Sequence, residues 1–145
     1  MLIEIRNASF NAWQELQFYQ NSLDFKGQYG AVATFVGAMR DFNDDKKVTH
    51  MTLEHYPGMT EKHLNAIARE VTETWNLLDV LILHRIGRVD IGDDIVLVAS
   101  WSVHRKEAFE SCRRIMEELK STAPFWKKEE TLSGSRWVEK NSPGF

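Results

Sequence analysis

The sequence predicts an α+β domain, a mostly antiparallel sheet with helices packed on it. Three observations point there. The segments "LLDVLILHRIG" (77–87) and "IVLVASW" (95–101) are near-continuously apolar, as strands covered on both faces are. Leu64, Ile67, Ala68, Val71 and Trp75 recur at helical spacing, and so do Ala108, Phe109, Cys112, Ile115, Met116 and Leu119. The elements run strand, helix, two strands, helix, two strands, helix and then short extended pieces, an order that suits hairpins with helices laid on the sheet.

Taken in order, Leu2 to Arg6 alternates as a short strand with Ile3 and Ile5 on one face. "SFNAWQELQFYQ" follows as a short helix with Ser9 as its expected N-cap. "GAVATFVGAM" (30–39) is an apolar, β-branched strand, and Gly37 near its end marks a bulge or a close backbone approach. "RDFNDDKK" is a polar turn and "VTHMTLEHY" returns as a strand, so 30–56 is expected to be one hairpin. Pro57-Gly58 breaks that strand, and Thr60 is placed to cap the next helix. "RVDIGDD" is a turn between the two buried strands. The third helix runs from about His104 to Lys120, and "FWKKEETL" and "RWVEK", parted by Ser-Gly-Ser, are short extended pieces.

A chain of 145 residues builds one domain with a sizeable core, 1–145, in which 139–145 is expected to be a tail. Its net charge of −3 gives no global basic field, which argues against nucleic acid, and any anion site has to be a local cluster. Cys112 is the only cysteine, so an internal disulfide framework, a CxxC redox pair and a thiolate zinc site are excluded. No basic-flanked leader or membrane-length apolar run is present, so a cytoplasmic, membrane-free protein is expected.

Histidines 50, 55, 63, 84 and 104 show no HxxxH or HExxH spacing, which speaks against a dedicated metal site. Neither a GxSxG elbow, a Walker loop nor a GxGxxG turn occurs. Cys112 sits on the apolar stripe and reads as an inert core thiol. The five tryptophans read as core, because no basic stripe accompanies them. His84 and Arg85, inside a buried strand, read as structural, with Arg85 paired to a carboxylate.

A set of cations remains: Arg40, His104, Arg105, Lys120 and Lys127, with Lys128 beside it. The third helix puts Arg105 on its apolar side and Lys120 at the flank. Lys120 either snorkels over Met116 or turns inward, and local pattern alone favours snorkelling. His104 and Arg105 sit at a helix N-terminus, an end that attracts phosphate, although His104 serves equally well as a plain cap. Arg40 follows a strand end, where functional side chains gather as readily as ordinary surface ones. Such a set suits an anionic substrate, with a lysine available as acid, base or amine nucleophile.

These residues and their neighbours resemble the large, catalytic subunit of molybdopterin synthase. "GAVATFVGAMR", "LEHYPGM", "HRIGRVDIGDDIVLV" and "VHRKEAFESCRRIMEELKSTAPFWKKE" resemble successive blocks of that family, followed by "GSRWV". The last long block is the most specific: His-Arg, Ala-Phe, a lysine at the helix end, proline, tryptophan and Lys-Lys-Glu in that order. Two departures, the glycine-free "DFNDDKK" and Asp93 in place of the usual Glu, fall in turns.

The resemblance implies an α/β-hammerhead-like fold and a sulfurtransferase without a cofactor of its own. Sulfur would pass from the thiocarboxylated Gly-Gly end of a ubiquitin-like small subunit to cyclic pyranopterin monophosphate (precursor Z), forming the dithiolene of molybdopterin. Carried over by position, Lys120 and Lys127 are the catalytic residues. Arg40, His104 and Arg105 hold phosphate and pterin, Phe35 and Met116 wall the pocket, and Ala38, Met39, Lys128 and Glu129 line it. Two other readings use the same residues: a noncatalytic anion- or nucleotide-binding domain, and a structural groove for a partner's tail.

"LKSTAPFWKKE" then reads as a pocket wall. Pro124 stops the helix, Phe125 and Trp126 are expected to anchor the returning chain in apolar contacts, and Lys127 converges on Lys120. Arg105 and Lys120 stand at opposite ends of one helix, roughly 22 Å apart at 1.5 Å per residue. Long side chains shorten that gap, but a small pterin phosphate does not easily meet both in one compact pocket. A homodimer is therefore expected, with a small subunit at each outer end of a heterotetramer, in which His104 and Arg105 complete the neighbour's site.

Overall fold

The computed structural model describes residues 1–43 and 46–138. The chain runs β1 (Leu2–Arg6), α1 (Ala12–Ser22), β2 (Ala31–Ala38), β3 (Phe42–Asn43), β4 (Lys46–His55), α2 (Met59–Trp75), β5 (Asp79–Arg85), β6 (Gly87–Asp90), β7 (Asp94–Ser102), α3 (Arg105–Ser121), β8 (Phe125–Thr131) and β9 (Gly134–Trp137). The α+β class is as the sequence predicts, and no helix among the described residues is long and apolar enough to cross a membrane. Asp44 and Asp45, in the expected polar turn, and the expected tail 139–145 lie outside the described residues.

A four-stranded sheet in the order β1-β5-β7-β2 forms one half. Only β1 and β5 pair in parallel; β5–β7 and β2–β7 are antiparallel. The two apolar segments occupy the centre, and β5 is buried along its whole length because helices cover both faces. Strand alternation sends Val80, Ile82, Val96 and Val98 toward α2 and α3, and Leu81, Leu83, Leu97 and Ala99 toward α1. The second sheet is built on β4, which pairs with β3, β6 and β8, while β9 pairs with β8. Met39, Val48, Met51, Leu53 and Val89 form its smaller core.

Residues 30–56 do not form one hairpin. β2 pairs with β7 and β4 belongs to the other sheet, so the chain leaves one sheet for the other between them. The crossing point is Gly37, where the β2–β7 register shifts. A Cβ at Gly37 would lie 2.8 Å from Val96 Cγ1, so the close approach expected there is real. The segment read as the turn 88–94 is in part a strand, since β6 pairs with β4 from His50↔Asp90 to Leu53↔Gly87.

Both expected helix caps move. Asn11, not Ser9, caps α1, its side chain accepting the Gln14 N–H at 3.1 Å. Gly58 caps α2, and its N–H donates to Glu61 Oε2 at 2.6 Å. Thr60 is fully buried and plays a different part, as its hydroxyl accepts the Tyr56 N–H (2.9 Å) and donates to the Pro124 carbonyl (3.0 Å). That bridge ties the start of α2 to the start of β8. Phe109 lies off the buried stripe of α3 at 67% exposure. Of the tryptophans Trp101 is core, whereas Trp13, Trp126 and Trp137 are exposed.

Candidate functional site

A cavity of about 330 Å³ opens where the end of α3, the inner face of β8, the end of β2 and β5 meet. α3 supplies Met116 and Lys120 from its last turns. Its C-cap Thr122 and the following Ala123 both donate to the Glu118 carbonyl, at 3.0 and 2.9 Å. Proline at 124 then forbids further helix, and the Thr60 hydroxyl fixes the Pro124 carbonyl. β8 sets off from there beside β4, pairing Phe125 with His55 and Lys127 with Leu53.

Alternation along β8 selects which side chains enter the cavity. Phe125, Lys127 and Glu129 line it, whereas Trp126 and Lys128 belong to the other face. The Lys128 ammonium lies over the Trp137 ring at 5.8 Å, so Lys128 does not line the pocket as expected. Two consecutive strand residues cannot share a face. The expected apolar anchoring is likewise split: Phe125 stacks on His84 with centroids 3.8 Å apart and planes 12° from parallel, while Trp126 is 47% exposed.

Lys127 does converge on Lys120. Burial first, then the Lys120 charge and a hydrogen bond with Lys120, and least of all the Arg40 charge, lower the Lys127 pKa to about 7 against the opposing charge of Glu129. An ammonium donates and an amine accepts, so this bond is made with one lysine protonated and the other neutral, its lone pair turned to the first. Glu129 is buried, and Arg136 grips its Oε2 through Nε (3.1 Å) and Nη2 (3.0 Å).

Phe35, Ala38, Met39, Arg40 and Met116 all border the cavity, as expected from the sequence. Met39 is buried there, its N–H donating to the Asp93 carbonyl at 2.9 Å. His104 and Arg105 do not border it. His104 is the extended N-cap residue of α3 without a side-chain capping bond, and both residues are exposed at the far end of that helix. Cys112 is buried, and burial pushes its thiol up to about 11, which suits the inert core role.

His84 is the residue that sequence reasoning missed. It lines the cavity, and burial lowers its pKa to about 4, helped by the charges of Lys127, Lys120 and His55 against the Arg85 carbonyl. The available signal was parity: Val80 and Ile82 face α2 and α3, so the next residue on that side is His84, a polar group in an apolar row. Arg85, read as paired to a carboxylate, stands 3.8 Å from Asp93 Oδ2 and donates to the Arg88 carbonyl at 2.6 Å.

Chemically, the cavity offers a cationic wall, an amine that titrates near neutrality and apolar flanks. It is suited to a small anion whose reaction moves protons or builds negative charge on an oxygen.

The chain is similar to known proteins along most of its length. The family described as "MoaE protein" matches residues 6–122. The molybdopterin synthase catalytic subunit of Pseudomonas aeruginosa is 51% identical over 140 residues, covering 96% of this chain and 91% of that relative. The crystal structure of molybdopterin synthase from Staphylococcus aureus superposes with a TM-score of 0.82 at 34% identity, over 94% of this chain and 96% of that one. A complex of subunits 1 and 2 of molybdopterin-converting factor from Helicobacter pylori has the same fold, with a TM-score of 0.80 at 21% identity over 97% of this chain and 92% of that one.

Proposed function

The chain belongs to the MoaE protein family, and from that premise we propose that it is the catalytic subunit of a molybdopterin synthase. It transfers sulfur from the thiocarboxylated Gly-Gly end of a ubiquitin-like small subunit to precursor Z, forming the molybdopterin dithiolene. The observation that carries this reading is the lysine pair in the cavity, with Lys127 held near neutrality by burial and by Lys120.

An amine that titrates near pH 7 exchanges protons with substrate during turnover, or attacks a thiocarboxylate carbonyl as a free base. Lys120, as the ammonium partner, polarises the substrate and stabilises charge developing on it. Arg40 at the cavity rim takes the phosphate, and Phe35 and Met116 flank the pterin. The sulfur comes from a second chain, since Cys112 is buried and its thiol resists ionisation. That the Pseudomonas relative is called a catalytic subunit supports such a partner. A reducing compartment, the cytoplasm, suits a thiocarboxylate.

His104 and Arg105 reach a site only through a second copy, which is why the working unit is a homodimer carrying two small subunits. Exposed Val32, Val103 and Phe109 lie around that end of α3 and supply apolar surface for the contact.

The test is reconstitution with thiocarboxylated small subunit and precursor Z, following dithiolene formation. Dithiolene from the wild-type chain and none from Lys127→Ala, with the tail still bound, is the expected pair of results. Binding of precursor Z or of the tail without dithiolene in the wild type would leave an anion-binding domain or a tail-binding groove instead.

A further inference from the structure

Gly37 is not a glycine for the sake of its backbone. Its φ lies outside the left-handed region, so by dihedral alone any residue fits there. Space is what bars a side chain. Besides the 2.8 Å approach to Val96 Cγ1, a Cβ at 37 would lie 3.1 Å from Phe35 Cε1 and 3.7 Å from Phe35 Cζ. Strand residues two apart share a face, so Phe35 and Gly37 stand on the side of β2 that carries buried Ala33. The Phe35 side chain therefore lies back along its own strand, the far edge of its ring over the bare backbone of Gly37.

The two neighbours differ in their freedom to move. Val96 is β-branched, buried in the core beside Val98 and paired opposite Gly37 in β7, so it has nowhere to retreat. Phe35 is 40% exposed and borders the cavity, as Gly37 itself does. When a methyl group is forced in at 37, the ring is the member that yields. Its displacement alters the wall that a ligand meets. A planar heterocycle packs on an aromatic ring in an offset stack, an arrangement sensitive to the tilt of that ring. Arg40 and Met116 border the same space and supply the cation and the opposite apolar flank.

We infer that Gly37 is a positioning residue for substrate: by offering no Cβ, it seats the Phe35 ring in the orientation that receives a planar, anionic heterocycle. The inference rests on the sulfur-transfer reading of the cavity and deepens it, since it names what sets the slot for the pterin. Gly37 meets no reacting atom and acts only through Phe35. A glycine required merely by Val96 would govern the pairing of β2 with β7 and the stability of the chain, and leave substrate binding alone.

In the reconstituted assay with thiocarboxylated small subunit and precursor Z, Gly37→Ala is expected to raise KM for precursor Z about tenfold, the weight of one ill-fitting carbon in an apolar pocket. Its kcat should stay within about threefold, because the reacting groups are untouched. The decisive comparison is a cycle with Phe35→Ala, which should itself raise KM. Once the ring is gone, adding Gly37→Ala should change KM by less than about twofold. The melting temperature, which reports the Val96 contact, should fall by the same amount in both backgrounds. A KM unchanged in Gly37→Ala, or raised equally with and without the ring, would overturn the role of Gly37. Absence of dithiolene from the wild-type chain would overturn the sulfur-transfer reading instead. Should Gly37→Ala fail to fold, proton NMR of the wild-type chain decides. The Gly37 α-protons must carry a ring-current shift that Phe35→Ala removes and that precursor Z changes on titration; α-protons indifferent to both refute the inference.

Discussion

At the scale of single residues, the site turns on one amine whose proton is held loosely. Lys127→Ala should leave the fold and small-subunit binding intact and lower turnover about 10²- to 10⁴-fold, the usual weight of a general acid or base. Lys127→Arg should not restore it, because a guanidinium stays protonated. The sign of the pH dependence follows from the lowered pKa. Activity that needs the free amine rises as pH passes through about 7. Lys120→Ala removes a like charge, so the Lys127 pKa climbs and the acid limb moves to higher pH in whatever turnover remains. Stability follows the same proton. The folded pKa lies below the ordinary 10.5, so between about 7 and 10.5 the unfolded chain holds the extra proton and stability rises with pH. Below that window the burial penalty is fully present. Urea unfolding should show that slope in the wild type and lose it in Lys127→Met.

At the scale of elements, β8 matters most, since it carries the lysine and is held at both ends. Thr60 fixes its start through the Pro124 carbonyl, and Arg136 on β9 fixes Glu129. Arg136→Ala removes two charge-assisted bonds to a buried carboxylate and should cost about 1–3 kcal/mol, read from denaturant midpoints. It also leaves the Glu129 charge less balanced, and that charge raises the Lys127 pKa, so the acid limb of activity should shift upward. The limits of sequence reading also lie at this scale. Individual strands and helices were legible because period and parity are local. The partner of β2 was not. Nothing within residues 30–56 reveals that the largely apolar β7 offers β2 a better neighbour than β4 does. The caps moved for a related reason, since Thr60 was drawn into a contact with Pro124, 64 residues away. Lys128 was misplaced although alternation excludes it from the cavity once Lys127 is placed inside. His84 was hidden by the expectation that a polar residue in a buried strand is only structural.

For the whole molecule, the helix that joins the two cationic groups also keeps them apart. α3 holds Lys120 in the cavity and His104 with Arg105 at its other end, outside it. Arg105→Ala should therefore damage a neighbour's site, and mixing it with Lys127→Ala should create heterodimers with one intact site each. With random exchange, about a quarter of wild-type turnover should return. No recovery despite proven exchange would mean that each chain builds its site alone.

The alternation along β8 has a further consequence for error tolerance. The strand reads Phe-Trp, Lys-Lys, Glu-Glu, so each chemical type is written twice in succession. A slip by one residue exchanges the faces of a strand, and such a slip normally ruins a site. Here the shifted frame would still offer an aromatic, a lysine and a glutamate to the inside. The lettering of β8 does not choose its own frame; the Pro124 anchor and the pairing with β4 and β9 do. A chain lacking Trp126 is accordingly expected to keep Phe, Lys and Glu turned inward and to suffer in stability, through its shortened hairpin, more than in chemistry. Turnover per folded molecule, measured beside the melting temperature, separates the two, and a folded but inactive deletion would show that the doubled script carries no redundancy.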